Sequence, residues 1–308
     1  MKRQIGVLAL VAACVLGILA TTSTGGRAQA QTAPANDGKL RIIIFGAHPD
    51  DAEYRGAGVA MKWAKQMGAH VLLVSATNGD VGHWQMAGGP LAARRKAEVT
   101  EVDRQLGTST EVLDIHDGEI LPTLENRRMI TRLIRQWNAD IVITNRPNDY
   151  HPDHRYTSIL VQDSAYMVTV PFFCPDTPFL KKNPVFLYSP DHFRKPNPFQ
   201  ADVAVSIDDV IEPTLDALLV MKSQIQEGGA NGYEGLYPSD EAGRQRRDAE
   251  CRKELAARYA GYADQSRDML VKLYGDERGH QIKYAQAYEL CEYGRQPSRE
   301  ELKKMFPH

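Results

Sequence analysis

The sequence predicts an α/β fold: a Rossmann-like, mostly parallel sheet with helices on both faces, followed by a helical C-terminal extension. Short apolar runs alternate with helical patterns from residue 40 to about 170, an alternation typical of parallel sheets covered by helices. From about residue 208 the pattern becomes mainly helical. Hydrophobic residues make up 43% and charged residues 25% of the chain, which excludes a fibrous, coiled-coil or wholly disordered protein.

The predicted strands are short apolar runs rich in β-branched residues, as buried strands are. In chain order they cover residues 40–45, 71–76, 111–115, 140–144, 185–189 and 203–207. The strands up to about residue 170 alternate with helical segments, and this alternation predicts a parallel sheet with helices on both faces.

The predicted helices either have apolar residues at helical spacing or are rich in charged helix formers. They cover residues 56–67, 91–106, 126–137, 154–168, 211–225, 240–274 and, as a short last helix, 285–291. Gly107 ends the second of these, whereas Gly243 and Gly261 are weak points of the long one. The glycine-rich segment 226–238 is interpreted as a plain connector, and the alternative is a lid over a site.

The N-terminal residues have the pattern of a secretory signal peptide. Lys2 and Arg3 precede an uncharged run at 5–20, and an A-x-A cleavage site ends at Ala30. The alternatives are a membrane anchor and a lipoprotein attached at Cys14, because the sequence VAAC resembles a lipobox. We therefore expect an exported protein, periplasmic or extracellular, with no transmembrane span in its mature chain.

The predicted mature chain is acidic. Cleavage at residue 30 removes three of the 37 basic residues and none of the 39 acidic ones, which leaves 34 against 39 and a net charge of −5. This charge argues against a nucleic-acid partner. Cys174, Cys251 and Cys291 remain, without a C-x-x-C pair, and we interpret them as buried free thiols, although export permits a disulfide.

Two motifs rich in histidine and aspartate follow predicted strands. Residues 47–51 (AHPDD) come directly after the first strand, and residues 151–154 (HPDH) end the loop after strand 140–144. In open α/β sheets, ligands bind at the carboxyl ends of the strands. Together the motifs offer three histidines and three aspartates, the donor types of a metal site with an adjacent acid–base group.

Each motif by itself also has a structural explanation. Asp50 or Asp51 would cap the helix after the first strand, and Asp153 would cap a later helix, since aspartate is favoured at N-caps. Two caps need no histidines, however. The presence of both motifs at predicted strand ends therefore favours a metal site.

The paired motifs closely resemble the PIG-L/LmbE family of metal-dependent de-N-acetylases. That family includes N-acetylglucosaminyl-phosphatidylinositol de-N-acetylases and the deacetylases of mycothiol and bacillithiol synthesis. Further segments fit its pattern: TNGD at 77–80, Arg95 with Glu98, and MKSQ at 221–224. The resemblance runs over residues 40–225, and it implies that Arg95 contacts the sugar or its attached group.

The resemblance also implies a metal centre. By position, His48, Asp51 and His154 would be the ligands, and the metal would be zinc. Two imidazoles and one carboxylate leave open positions on the ion, which suits catalysis rather than a structural site. The same donors also suit ferrous iron.

The resemblance assigns the chemistry to neighbouring residues. Asp50 would be the general acid/base, His151 would stabilise the oxyanion, and Asp153 would orient one of the histidines. One departure stands out, because some relatives have a tyrosine two residues before the equivalent of His151, and here that place is Asp149. Whether the adjacent Tyr150 substitutes for it is left open.

The sequence therefore predicts an exported zinc-dependent hydrolase that removes the acetyl group from an N-acetylated sugar, such as an N-acetylglucosaminide, or from a glycoconjugate, by metal-activated water. The alternatives are a metal-dependent amidase on a larger conjugate, a two-metal phosphoesterase, and a glycan-binding relic. Trp84 would stack on a sugar ring or merely pack. The expected domains are a signal peptide at 1–30, a catalytic α/β domain at 38–225 and a helical extension at 226–308 packed on it.

Overall fold

The computed structural model describes residues 37–308. The predicted signal peptide, its cleavage site at Ala30 and the lipobox cysteine, Cys14, lie outside the described residues. Within 37–308, no helix combines the length and the apolar character that crossing a membrane requires.

A seven-stranded sheet forms the centre of the described chain. Its strands are β1 (Arg41–Gly46), β2 (His70–Ser75), β3 (Ser109–Val112), β4 (Ile141–Thr144), β5 (Val185–Tyr188), β6 (Val203–Ser206) and β7 (Ala285–Gly294). They lie in the order β3-β2-β1-β4-β5-β7-β6, and β1 to β5 are parallel. The predicted fold class, an α/β fold with a mostly parallel sheet, is confirmed.

The α-helices surround this sheet and dominate the C-terminal part of the chain. They are α1 (Asp51–Gln66), α2 (Gly88–Leu106), α3 (Leu124–Trp137), α4 (Pro152–Met167), α5 (Ile211–Leu218), α6 (Glu241–Gln265), α7 (Arg267–Tyr274), α8 (Asp276–Gln281) and α9 (Arg299–Met305). Gly107 ends α2 as predicted, in the left-handed conformation with φ 83° that glycine adopts without strain.

Strand β1 shows why an uninterrupted apolar run stands at the centre of the sheet. Successive side chains of a strand point to opposite faces. Ile42 and Ile44 pack in the apolar layer that includes α1, α2 and α5, whereas Ile43 and Phe45 pack in the layer that includes α3 and α4. Because helices cover both faces, every position of the strand has to be apolar.

The short last helix predicted at 285–291 is wrong, because this segment is strand β7 (Ala285–Gly294). β7 runs antiparallel between β5 and β6. Its sequence is rich in alanine, glutamine and glutamate, which favour helices, but pairing on both edges outweighs this local preference. The extension at 226–308 is therefore not purely helical, since it also completes the sheet.

The first four helices begin two to five residues earlier than predicted, and two later helices end or divide at other residues. α5 ends at Leu218, and turns rather than helix continue to residue 227. The predicted helix 240–274 is divided into α6 and α7 at Ser266 and not at its glycines. Gly261 lies inside α6, where a side chain would meet open space, so nothing forces the helix to break there.

The three cysteines expected in the mature chain are free and buried. The Cys251 thiol donates to the Ile225 carbonyl at 3.4 Å, and the Cys291 sulfur lies 3.0 Å from the Tyr188 hydroxyl. Burial raises the pKa of Cys251 to about 11, which disfavours the reactive thiolate. The interpretation as buried free thiols is confirmed.

Candidate active site

The two motifs meet because the strands that precede them are neighbours. β1 and β4 are adjacent and parallel, with Ile43 opposite Val142. Their carboxyl ends therefore open at the same edge of the sheet. β2 and β3 extend the sheet to one side of β1, and β4 and β5 extend it to the other. This is the switch point at which open α/β sheets bind ligands.

A buried cluster of two imidazoles and one carboxylate lies at this point. Asp51 Oδ2 is 3.4 Å from His48 Nδ1 and 3.3 Å from His154 Nε2. The same oxygen accepts hydrogen bonds from the backbone amides of Ala47 and His48, each at 3.0 Å. The three side chains predicted as metal ligands are thus brought together, and each residue is at most 8% exposed.

The imidazole nitrogens that point away from this carboxylate are paired with other carboxylates. His154 Nδ1 lies 3.0 Å from Asp149 Oδ1. His48 Nε2 lies 2.9 Å from Asp117 Oδ1 and 3.3 Å from Asp153 Oδ2. Such pairs are typical of metal-binding histidines, where they fix the tautomer and the ring orientation. The donor set and its supporting carboxylates therefore fit a divalent metal ion. Asp153 contacts His48, and its predicted orienting role stays a prediction.

Two of the supporting carboxylates were missed by sequence reasoning. Asp117 follows the weak strand β3, and a hydrogen bond from its backbone amide to Asp80 Oδ1 (3.1 Å) holds its loop. Asp149 was noted as the replacement of a tyrosine, and its own role was not seen. Both lie in loops that follow strands at the motif-bearing edge, and this position is the signal that was available in the sequence.

Charge interactions are strong within the cluster. Burial by itself would raise the pKa of Asp51, but the neighbouring His154 and His48 outweigh this effect and hold the pKa well below its usual value. Burial lowers the pKa of His48, yet hydrogen bonds to three carboxylates leave it well above its usual value. In His154, burial is likewise outweighed by Asp51 and Asp149, and the pKa is raised to about 9. The carboxylates thus attract positive charge, and a metal would take the place of imidazole protons.

Asp50 is held beside the cluster and does not cap a helix. It occupies the N-cap position of α1, but its side chain makes no cap hydrogen bond. Its Oδ1 lies 3.2 Å from Arg95 Nη2. Burial raises the pKa of Asp50, and Arg95 opposes this effect. The capping explanation is therefore wrong for Asp50, whose carboxylate stays available for proton transfer.

Arg95 is a buried residue with an exposed fraction of only 2%. Besides Asp50, its guanidinium donates to the carbonyls of Gly79 (3.1 Å) and Pro49 (3.4 Å) and lies 3.6 Å from Asp117. These contacts occupy most of its donors. In this structure Arg95 positions the two carboxylates, whereas the predicted sugar contact stays a prediction.

His151, and not Asp153, is the N-cap of α4. Its Nδ1 accepts the hydrogen bond of the Asp153 backbone amide at 3.2 Å. A neutral imidazole whose Nδ1 accepts carries its proton on Nε2. Burial and the neighbouring His48 and His154 lower the pKa of His151, which favours this neutral form. His151 is thereby prepared as a hydrogen-bond donor through Nε2.

Five motif residues line one cavity of about 620 Å³: His48, Asp50, Asp51, His151 and His154. Tyr150 stands at its rim, 72% exposed, with its ring 5.8 Å from that of His151. Another part of the wall consists of residues 228–231 and Gln224. The glycine-rich segment 226–238 is therefore part of the site, and its interpretation as a plain connector was incomplete.

Comparison with known families agrees with this geometry. Residues 43–165 match the family model of PIG-L, described as GlcNAc-PI de-N-acetylase. The matched segment contains both motifs and all the predicted site residues. The resemblance predicted from the motifs is thus confirmed over residues 43–165, and the same match supports the enzyme class predicted from it, a hydrolase of the de-N-acetylase type.

Solved structures share the fold at low sequence identity. N,N'-diacetylchitobiose deacetylase from Pyrococcus horikoshii is 23% identical, with 81% of this chain and 83% of that chain covered and a TM-score of 0.61. The deacetylase of the pseudoaglycone of the antimicrobial reagent A40926 is 14% identical, with 84% of this chain and 100% of that chain covered and a TM-score of 0.56. The 4-carboxy-2-hydroxymuconate hydratase from Pseudomonas putida is 18% identical, with 84% and 98% covered and a TM-score of 0.62. Since the fold is shared with a hydratase, the reaction has to be argued from the site.

Proposed function

We propose that this chain is an exported, metal-dependent N-deacetylase that releases acetate from an N-acetylated amino sugar or a glycoconjugate. The observation that carries the proposal is the placement of Asp50 beside the His48–Asp51–His154 cluster in one cavity. That arrangement joins a metal-type donor set to a separate acid–base group, as metal-assisted hydrolysis requires.

His48, Asp51 and His154 would hold the metal ion. When bound, a zinc or ferrous ion supplies Lewis acidity and makes water nucleophilic near neutral pH. Zinc is the expected metal from the family resemblance, and the donors suit both ions. Asp149, Asp117 and Asp153 would keep the imidazoles oriented through the contacts described above.

Asp50 would move the proton during hydrolysis. Its carboxylate accepts a proton from the attacking water and then gives this proton to the nitrogen of the leaving amine, so that acetate and a free amino sugar are formed. Proton transfer by a positioned group of this kind contributes typically about 10²–10⁴-fold to the rate. Arg95, 3.2 Å away, fixes the carboxylate in the place where both transfers occur.

His151 would act on the carbonyl oxygen of the acetyl group. That oxygen becomes negatively charged when water adds, and the neutral imidazole can donate to it through Nε2. The α4 N-terminus holds the ring in this tautomer, since the amide of Asp153 occupies Nδ1. A preorganised oxyanion donor is typically worth about 2.7–4 kcal/mol.

Export is part of the proposal and rests on the signal-peptide pattern of residues 1–30. An exported enzyme meets its substrate outside the cytoplasm. Cell-wall or environmental glycans therefore fit this location better than a cytoplasmic thiol-sugar precursor does.

The test is an acetate-release assay of the mature protein on N-acetylglucosaminides, with defined metals. We expect activity that is lost on chelation, recovers with zinc and falls at least about 100-fold in Asp50→Asn. The matched control is Asp268→Asn, an exposed carboxylate of α7 that does not line the cavity. Full activity of Asp50→Asn would contradict the mechanism.

Other outcomes of the same experiment identify the alternative functions. Activity confined to larger amide conjugates would indicate a conjugate amidase. Two metals per chain with phosphoester cleavage would indicate a phosphoesterase. Failure to bind zinc would indicate the glycan-binding relic, although all predicted ligands and the base are present.

A further inference from the structure

A second cleft, of about 480 Å³, lies beside the catalytic cavity. Its aromatic residues are Trp84, Tyr233 and Tyr237, and its charged residues include Arg94 and Glu227. These residues come from the loop before α2, from α2 itself and from the glycine-rich segment 226–238. The mechanism described above uses none of them.

The two cavities share a wall made of two backbone segments. Val81 and Gly82 line the catalytic cavity, and the residues that follow them in the chain line the second cleft. The Trp84 amide donates to the Gly229 carbonyl at 2.9 Å, and the Gln224 side chain donates to the Gly82 carbonyl at 3.2 Å. A molecule held in the catalytic cavity thus needs to extend past only one such wall to reach the aromatic rings.

Two glycines give this wall its shape. Gly229 has a φ of +56°, a backbone conformation that favours glycine. At Gly232 a Cβ atom would lie 2.0 Å from the Glu227 carbonyl oxygen and 2.3 Å from Trp84 Cδ1. The indole therefore packs directly against the backbone of Gly232. This packing preorganises the Trp84 ring, which lowers the entropic cost of binding a ligand against it.

Charged side chains lie at the same cleft. Arg94 donates two hydrogen bonds to Glu227, at 2.8 and 2.7 Å, and His83 Nε2 lies 3.0 Å from the same carboxylate. The Arg94 and Glu227 side chains are still 29% and 22% exposed. Tyr233 is 61% exposed beside them. Flat aromatic faces next to fixed planar polar groups match a pyranose ring, which has apolar C–H faces and a rim of hydroxyl groups.

We propose that this cleft is a second sugar subsite, which binds the ring next to the N-acetylated ring in the catalytic cavity. The proposal rests on the proposed function and names its substrate class, an N-acetylated oligosaccharide. Trp84, Tyr233 and Tyr237 contact the apolar faces of the second ring. Arg94 and Glu227 hydrogen-bond its hydroxyl groups.

The kinetic test compares the mono-, di- and trisaccharide of β-1,4-linked N-acetylglucosamine in acetate release. We expect kcat/KM to rise with chain length in the wild-type protein. In the double variant Tyr233→Ala/Tyr237→Ala, the ratio of kcat/KM for the trisaccharide to that for the monosaccharide falls about tenfold, mainly through KM. The control is Tyr166→Ala, which removes a 72% exposed tyrosine that lines neither cavity and keeps the wild-type ratio.

Binding is measured separately by tryptophan fluorescence in Asp50→Asn, which slows turnover at least about 100-fold. The chain has three tryptophans, and Trp63 and Trp137 are 0% and 2% exposed. A signal on adding the trisaccharide therefore reports on Trp84. We expect this signal to disappear in Trp84→Phe and the affinity to fall about tenfold when both tyrosines are removed.

The two measurements separate failure of the subsite from failure of the deacetylase. Trisaccharide binding that depends on the tyrosines, without acetate release by the wild-type protein, supports the subsite and contradicts the proposed function. Acetate release with a ratio that the tyrosine variants leave unchanged overturns the subsite alone. Absence of both binding and release overturns both.

Discussion

The carboxylate of Asp149 offers the sharpest test of how this site holds a metal. Its Oδ1 lies 3.0 Å from His154 Nδ1, and it also accepts the backbone amide of His151 at 3.1 Å. In Asp149→Ala the imidazole of His154 loses the acceptor that keeps Nε2 directed at Asp51. We expect zinc affinity to fall by about 10–100-fold, since a hydrogen bond to a charged group is worth about 1.5–3 kcal/mol.

Zinc affinity is measured by competition with a chelator of known affinity, and far-UV circular dichroism verifies that the variant is folded. Asp149→Asn keeps an acceptor but loses the charge, so its affinity lies between those of the wild type and Asp149→Ala. The matched control is Asp163→Ala, which removes a carboxylate from the helix that carries His154 and leaves the site untouched. A loss of less than about twofold in folded Asp149→Ala would refute the orienting role.

Three further predictions concern stability and the metal. Arg135→Met removes donors to six backbone carbonyls at and beyond the C-terminal end of α4, and we expect urea unfolding to show a loss of about 3 kcal/mol in stability. A loss below about 1 kcal/mol contradicts this prediction. Ser298→Ala removes the capping box of α9 and lowers the free energy of unfolding by about 1 kcal/mol in the same assay. Ser298→Asp can still cap the helix, so we expect it to keep most of this stability. Zinc at about 1,000 times its Kd adds about 4 kcal/mol to the stability of the apoprotein, seen as a higher Tm in calorimetry, and an unchanged Tm contradicts a folded-state metal site.

Most of the catalytic domain was predictable because its elements carry their own local signals. β1 is a continuous apolar run, α2 ends at a glycine, and both motifs follow strands. The sequence pattern gave a wrong prediction at β7, because its residues favour a helix when they are considered alone. There the pairing with β5 and β6 decides the conformation, and this pairing joins segments far apart in the chain.

Some residues of the site were also predictable from local motifs, whereas others were found only in the fold. His48, Asp50, Asp51, His151 and His154 lie in two short motifs, so their residue types and spacing already indicate metal-assisted chemistry. Asp117 has no such motif, and it becomes visible only because β3 and its loop fold toward the same edge of the sheet. Arg95 was recognised as a site residue, yet its burial against Asp50 became known only from the packing of α2.

The sequence alone determined the α/β class, the two motifs and the family to which they point, because each depends on residues close together in the chain. The tertiary structure decided which strands are neighbours, which carboxylates support His48 and His154, and that Trp84 lies beside the segment 226–238. These features depend on packing between distant segments, whose free energies no local pattern records. The loop at 226–238 illustrates the difference: a glycine-rich connector in the sequence is a wall between two cavities in the fold.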